Sequence, residues 1–69
     1  MSRLTRSDHL RLATERLNAS GIDEAADDAR RLLLAASALS PARLLTEMTS
    51  DMPGDEAARY EALIARREQ

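Results

Sequence analysis

Chemistry needs convergent polar groups, and few residues of this chain have the types for it. His9 is the single histidine and there is no cysteine, so the sequence supplies neither a thiolate site nor a pair of imidazole ligands. Beside Asp8 in what reads as the first turn of a helix, His9 is expected on the solvated surface. Three acidic pairs, Asp23-Glu24, Asp27-Asp28 and Asp55-Glu56, have the composition of a carboxylate site. Each falls at or near a predicted helix start, where acids stabilise the helix dipole, and that is their expected role. The stretch from Thr49 to Gly54 lacks the alternating oxygen ligands of a calcium loop. Gly21 and Gly54 are the only glycines, too few for a phosphate cradle. These 69 positions therefore predict no catalytic, cofactor-binding or metal-binding residues.

The ten basic residues are all arginine and stand against twelve acids, for a net charge of −2. They are dispersed, so no basic face forms that would release counterions from a nucleic acid. No apolar run approaches the roughly 18–20 residues of a membrane helix. Arg3, Arg6 and Asp8 interrupt any signal-peptide core. A cytoplasmic protein with no membrane and no direct nucleic-acid partner is expected. Thirteen alanines beside no valine and no lysine match a GC-rich coding bias. Only seventeen of the thirty hydrophobic residues are larger than alanine, a core suited to a minimal helical bundle.

The elements follow from periodicity and caps. β-branched residues are scarce and period-two alternation is absent, so no strand is predicted. Ser7 reads as the N-cap of a first helix over 8–19, whose apolar positions are Leu10, Ala13 and Leu17. Gly21 suits the left-handed C-terminal cap, with Ile22 closing that end. Asp23 reads as the next N-cap. The second helix, 24–38, carries the stripe Ala25, Ala29, Leu32, Leu33, Ala36 and Leu39, and an outer Asp27–Arg31 pair. Ser40-Pro41 starts a third helix over 41–48 with Leu44, Leu45 and Met48 inward. After the loop 49–54, a last helix begins near Pro53–Glu56, buries Ala57, Tyr60, Leu63 and Ile64, and ends in Arg66-Arg67. The expected fold is all-α, a small single-domain bundle of four to five short helices spanning 1–69, with no sheet.

Four stretches in this order resemble one family. Arg16-Leu17-Asn18-Ala19-Ser20-Gly21-Ile22 is similar to "RLxxAGI", and Asp28-Ala29-Arg30-Arg31-Leu32-Leu33-Leu34-Ala35 to "DARxLLxH". Leu39-Ser40-Pro41-Ala42-Arg43-Leu44-Leu45 resembles "LSRAxLL", and the run Ala57 to Arg67 resembles "AxRFExLVxRR". These are the patterns of the N-terminal domain of the HemK/PrmC methyltransferases, which modify peptide chain release factors. Ala35 stands where many members carry histidine, and Ala38 where many carry glycine. In full-length members the double arginine leads into a "GxPxxYxxG" linker and a methyltransferase domain with an "NPPY" motif, none of which occurs in these 69 residues.

The resemblance implies a division of labour. The parent enzyme uses S-adenosylmethionine to methylate the glutamine of the release factor's GGQ motif. The small helical domain, with no catalysis of its own, helps recognise class-1 release factors and is tethered to the methyltransferase domain. A free-standing helical adaptor and a helix-turn-helix DNA binder are the other readings of the same residues, although the third helix offers only Arg43 and Glu47 to read bases. Within the chain, Asp28 is expected to pair with Arg66 or Arg67, fixing the last helix against the second. Arg3, Arg6, Arg11 and Arg43 are expected to be exposed and are the candidates for partner contact.

Overall fold

The structure, a computed structural model, describes residues 4–69. It has four helices, α1 (Arg6–Ala19), α2 (Ala25–Ser37), α3 (Pro41–Thr46) and α4 (Gly54–Arg67), and no sheet among the described residues. α2 is the central helix: α1 and α4 pack against it extensively and α3 less so, while α1 and α4 meet each other sparingly. The molecule is a slab 29 × 29 × 16 Å. Its thin dimension is less than two helix diameters of about 10–12 Å, so every helix keeps a solvent face.

α1 starts earlier than Ser7 suggested. Thr5 is the N-cap, its hydroxyl accepting from the Asp8 amide at 3.1 Å while the Asp8 carboxylate accepts from the Thr5 amide at 3.0 Å. This reciprocal capping box satisfies two orphan donors at once. Ser7 has Leu10 three residues on and cannot form one, so the cap moves back and Arg6 becomes the first helical residue. The backbone before it is also pinned, by an isolated bridge between Thr5 and Asp51 and by hydrogen bonds from the amides of Arg6 to Ser50 and Ser7 to Met48.

The end of α1 is as expected. Gly21 has φ +84°, its amide donates to the Asn18 carbonyl, and the Ile22 amide reaches back to Leu17. That pair of bonds is the Schellman closure. Asp23, predicted as the second N-cap, is replaced by Glu24, which makes no side-chain capping bond. The Ser40-Pro41 start is present, with the Ser40 hydroxyl accepting from the Arg43 amide. α3 ends at Thr46, two residues short of the predicted 41–48, with Glu47 as its C-cap, and Leu45 is 79% exposed where an inward position was expected. So short a helix, lying along one side of α2, turns only Leu44 fully inward.

The core is Ala13, Leu17, Ala25, Ala29, Leu33, Ala36, Leu44, Met52, Tyr60 and Ile64. Small residues on α2 let the neighbouring helices approach its backbone. Tyr60 uses that approach: its buried hydroxyl donates to the Ala29 carbonyl at 2.9 Å, and burial holds the phenol above its ordinary pKa. At the far end of α2, Ala38 has φ +58° and ψ +22°, a left-handed cap without a glycine. Arg59 of α4 donates to the nearby Ala36 carbonyl at 3.1 Å and so covers one of the carbonyls orphaned there.

Two predictions follow from the caps. The left-handed conformation costs an L-residue about 1–2 kcal/mol, so Ala38→Gly is expected to stabilise the domain by about 1 kcal/mol and raise Tm by about 4–8 °C. Gly21→Ala should have the opposite sign and similar size, since an added Cβ there meets nothing within 4 Å and only the φ of +84° opposes it; paired thermal melts read both. The second concerns acid. Asp8 lies below its ordinary pKa of 3.8 because it accepts from the Thr5 amide and hydroxyl. Asp55 is lowered by the Arg59 guanidinium and by backbone amides of the α4 first turn. A carboxylate lowered by folding stabilises above its unfolded pKa and loses that contribution as pH falls through the folded one. Below about pH 4, Asp8→Asn/Asp55→Asn should therefore lose less stability than the parent chain in denaturant titrations.

Candidate functional site

The most constrained polar group is one the sequence placed on the surface. Arg6 is 6% exposed and Glu56 4%. The guanidinium donates Nε to Glu56 Oε2 at 2.8 Å and Nη2 to Oε1 at 2.9 Å, and its Nη1 reaches the Glu47 carbonyl at 3.2 Å. Hydrogen bonding to Glu56 raises the Arg6 pKa further. Arg6 was expected among the exposed arginines; the earlier helix start turns it toward α4, where the Glu56 carboxylate and the Glu47 carbonyl, which also accepts from the Ser50 amide, occupy its donors. It is a structural clasp and is withdrawn from the partner-contact candidates.

A second clasp joins the later parts of the same helices. Arg16 of α1 donates to Glu61 at 2.7 Å and to Glu68 at 2.6 Å, and these two hydrogen bonds raise its pKa. On the other flank of α4, Arg67 sits 2.8 Å (Nη2) from Asp28 Oδ2, with Nε at 3.0 Å. The structure thus brings Asp28 to Arg67 and leaves Arg66 out of the pair. Arg11 and Arg43 are exposed and only loosely paired, each 3.8 Å from its nearest carboxylate, Asp8 and Glu47 respectively. Arg3 lies outside the described residues. The expected Asp27–Arg31 pair is present at 3.7 Å beside a closer Asp27–Arg30 contact of 3.3 Å, all on the exposed side.

Between the clasps, α1 and α4 stand apart and leave a groove of about 740 Å³. Ala13 and Ala19 on one wall and Ala57 and Ala58 on the other give it room, and Tyr60 and Ile64 are at its base. Leu4 and Leu12, 42% and 41% exposed, stand along it. His9 also lines it, half-buried where a fully solvated position was expected. A smaller apolar cleft of about 240 Å³ lies on the α2–α3 side, lined by Leu10, Leu34, Leu44, Leu45 and Met48.

Among the described residues no three His, Cys, Asp or Glu side chains cluster as metal ligands. Neither glycine forms a cofactor cradle: Gly21 closes α1 and Gly54 opens α4. What the site offers is a shaped, apolar surface with charged edges. Both buried members of the first clasp were missed by sequence reasoning; the signal for Arg6 was the Thr5-x-x-Asp8 capping box, which fixes the helix start.

The family model described as PrmC N-terminal domain matches residues 8–69. The release factor glutamine methyltransferase of Cereibacter sphaeroides is 54% identical over 61 residues, covering 88% of this chain and 22% of that protein. This chain therefore spans about a fifth of the length of the curated relative it matches. No solved structure matches it.

The clasp generates a stability prediction. Removing one partner of a buried pair strands the other, at a cost of about 3–5 kcal/mol, against a total of roughly 3–10 kcal/mol for a domain of this size. Arg6→Leu or Glu56→Leu should each leave the domain marginal or unfolded at 25 °C by circular dichroism. The double Arg6→Met/Glu56→Leu replacement is expected to recover most of that loss.

Proposed function

This chain belongs to the PrmC N-terminal domain family, and we propose that it is the release-factor-recognition domain of an S-adenosylmethionine-dependent protein-glutamine methyltransferase. The supporting observation is the family match over residues 8–69 together with 54% identity to a protein named for methylating release factors. In this reading residues 1–69 form one domain, the substrate is a class-1 peptide chain release factor, and the modified group is the glutamine of its GGQ motif. Methyl transfer and S-adenosylmethionine belong to a methyltransferase domain of the same parent chain, and the place of action is the cytoplasm. No helix of the described residues is long and apolar enough to cross a membrane, which is compatible with that place.

The physical contribution of such a domain is concentration and orientation. A recognition module tethered to a catalytic domain turns the second contact with the substrate into an intramolecular event, at effective concentrations in the millimolar range for short linkers. Affinity is lost when the module must order itself on binding. The three arginine clasps hold α4 to α1 and α2 before any partner arrives, which keeps that cost small. Arg11 and Arg43 stay in this proposal as exposed cations for acidic groups on the partner.

Competition tests the reading. Added in excess to a full-length release factor glutamine methyltransferase, the chain should bind the release factor and slow its methylation, measured as incorporation of labelled methyl groups. The chain alone with S-adenosylmethionine should incorporate none. Absence of both binding and inhibition at large molar excess would sink the proposal.

A further inference from the structure

We infer that the groove between α1 and α4 is the surface that receives the substrate protein, and that its occupant is a short apolar segment flanked by lysine or arginine. This rests on the recognition reading above and names the face and the chemistry that would carry it out.

The groove is built rather than incidental. Its two ends are strapped by ion pairs, Arg6–Glu56 and Arg16 with Glu61 and Glu68. The arginines are ten residues apart on α1, about 15 Å along the helix axis. Because the straps hold the helices by their charged tips, the apolar faces between them do not close on each other. Two of the three large hydrophobic residues exposed among the described residues, Leu4 and Leu12, line this groove. In a chain whose large apolar side chains number only seventeen, apolar surface left open beside a concavity marks a contact surface.

The edges determine the kind of occupant. The charged groups that line the groove or strap its ends are Arg6, Glu15, Arg16, Glu56, Glu61 and Glu68. Arg16 is already engaged by Glu61 and Glu68, and Glu15 has no ion-pair partner among the described residues. Two cations against four acids leave a surplus of two negative charges beside an apolar floor. A segment with leucine-like side chains and adjacent Lys or Arg is complementary to that pattern, whereas an acidic segment would be repelled. The smaller α2–α3 cleft has the opposite bias, with Arg30 as its only charged lining residue.

The test is a titration of the isotope-labelled 69-residue chain with an unlabelled bacterial class-1 release factor, followed by NMR. The inference expects perturbations concentrated at Leu4, Leu12, Ala19, Ala58 and Glu61. Leu12→Asp should weaken binding about tenfold. Glu15→Arg should weaken it by a smaller factor and flatten its salt dependence, and Leu45→Asp should leave it unchanged. Leu12 and Glu15 lie on the outer side of α1, and circular dichroism checks that both variants stay folded. The wild-type perturbation map decides the matter if either does not. Binding mapped to Leu34 and Leu45 would overturn this inference and leave the recognition reading standing; no binding would overturn both. Perturbations at the same groove on concentrating the chain alone would identify a second copy as the occupant and also overturn it.

Discussion

One guanidinium sets the arrangement of three elements. Arg6 is the first residue of α1, where the positive end of the helix dipole disfavours a cation. It is held there because Glu56, in the first turn of α4, accepts two of its N–H groups, and the Glu47 carbonyl at the end of α3 accepts a third. Glu56 is in turn at a helix start, the place where an acid is favoured. The pair is stable as a unit and costly as halves, so the starts of α1 and α4 and the end of α3 are fixed relative to each other. Tyr60, one helical turn beyond Glu56, is thereby carried to the α2 backbone, and the rest of α4 follows.

The same chemistry recurs with different partners. Arg16 joins two carboxylates, Arg59 covers a carbonyl at the end of α2 and an acid one turn back, and Arg67 holds Asp28 with two nitrogens. These contacts use the planar fork of arginine, whose several donors point in fixed directions. An ammonium is a compact point charge and would not reproduce the two-nitrogen contacts of Arg6 or Arg67. Read from composition, the absence of lysine matched a coding bias. In the folded chain it is a requirement at the positions just named, whatever its origin, because the fold has little apolar area and relies on side-chain straps to orient α4.

What was legible in the sequence was what local physics decides. The α2 stripe, the Gly21 cap, the Ser40-Pro41 start and the buried face of α4 each rest on spacing or on one residue's backbone preference, and each is where it was expected. The missed clasp has one root. Placing the α1 cap at Ser7 instead of Thr5 left Arg6 outside the helix, with no element to aim it at α4. The capping box was present in the sequence, but with Asp in place of the usual Glu or Gln at its third position. Glu56 was read as a dipole-stabilising acid, which it is by position; its second role depends on Arg6, fifty residues away, and no local pattern encodes that. Leu45 illustrates the converse limit, since periodicity marks a residue as apolar but not how much surface its neighbours have left to cover it.

The groove brings the two demands on so small a domain into conflict. Stability of only about 0.05–0.15 kcal/mol per residue favours closing every apolar face, and a larger residue at the exposed Ala58 would help close this one. The structure instead spends its ion pairs at the two ends of α1 and α4 and leaves alanines between them, with Leu4 and Leu12 partly in water. A domain selected only to fold would gain by letting those helices pack. Holding them apart on straps makes sense if the missing packing partner comes from outside, and the surplus of acid at the edge says what that partner should carry. The straps then have a role beyond stability: because they fix the groove before binding, the partner meets a preformed surface and the entropy of shaping it is not drawn from the binding energy.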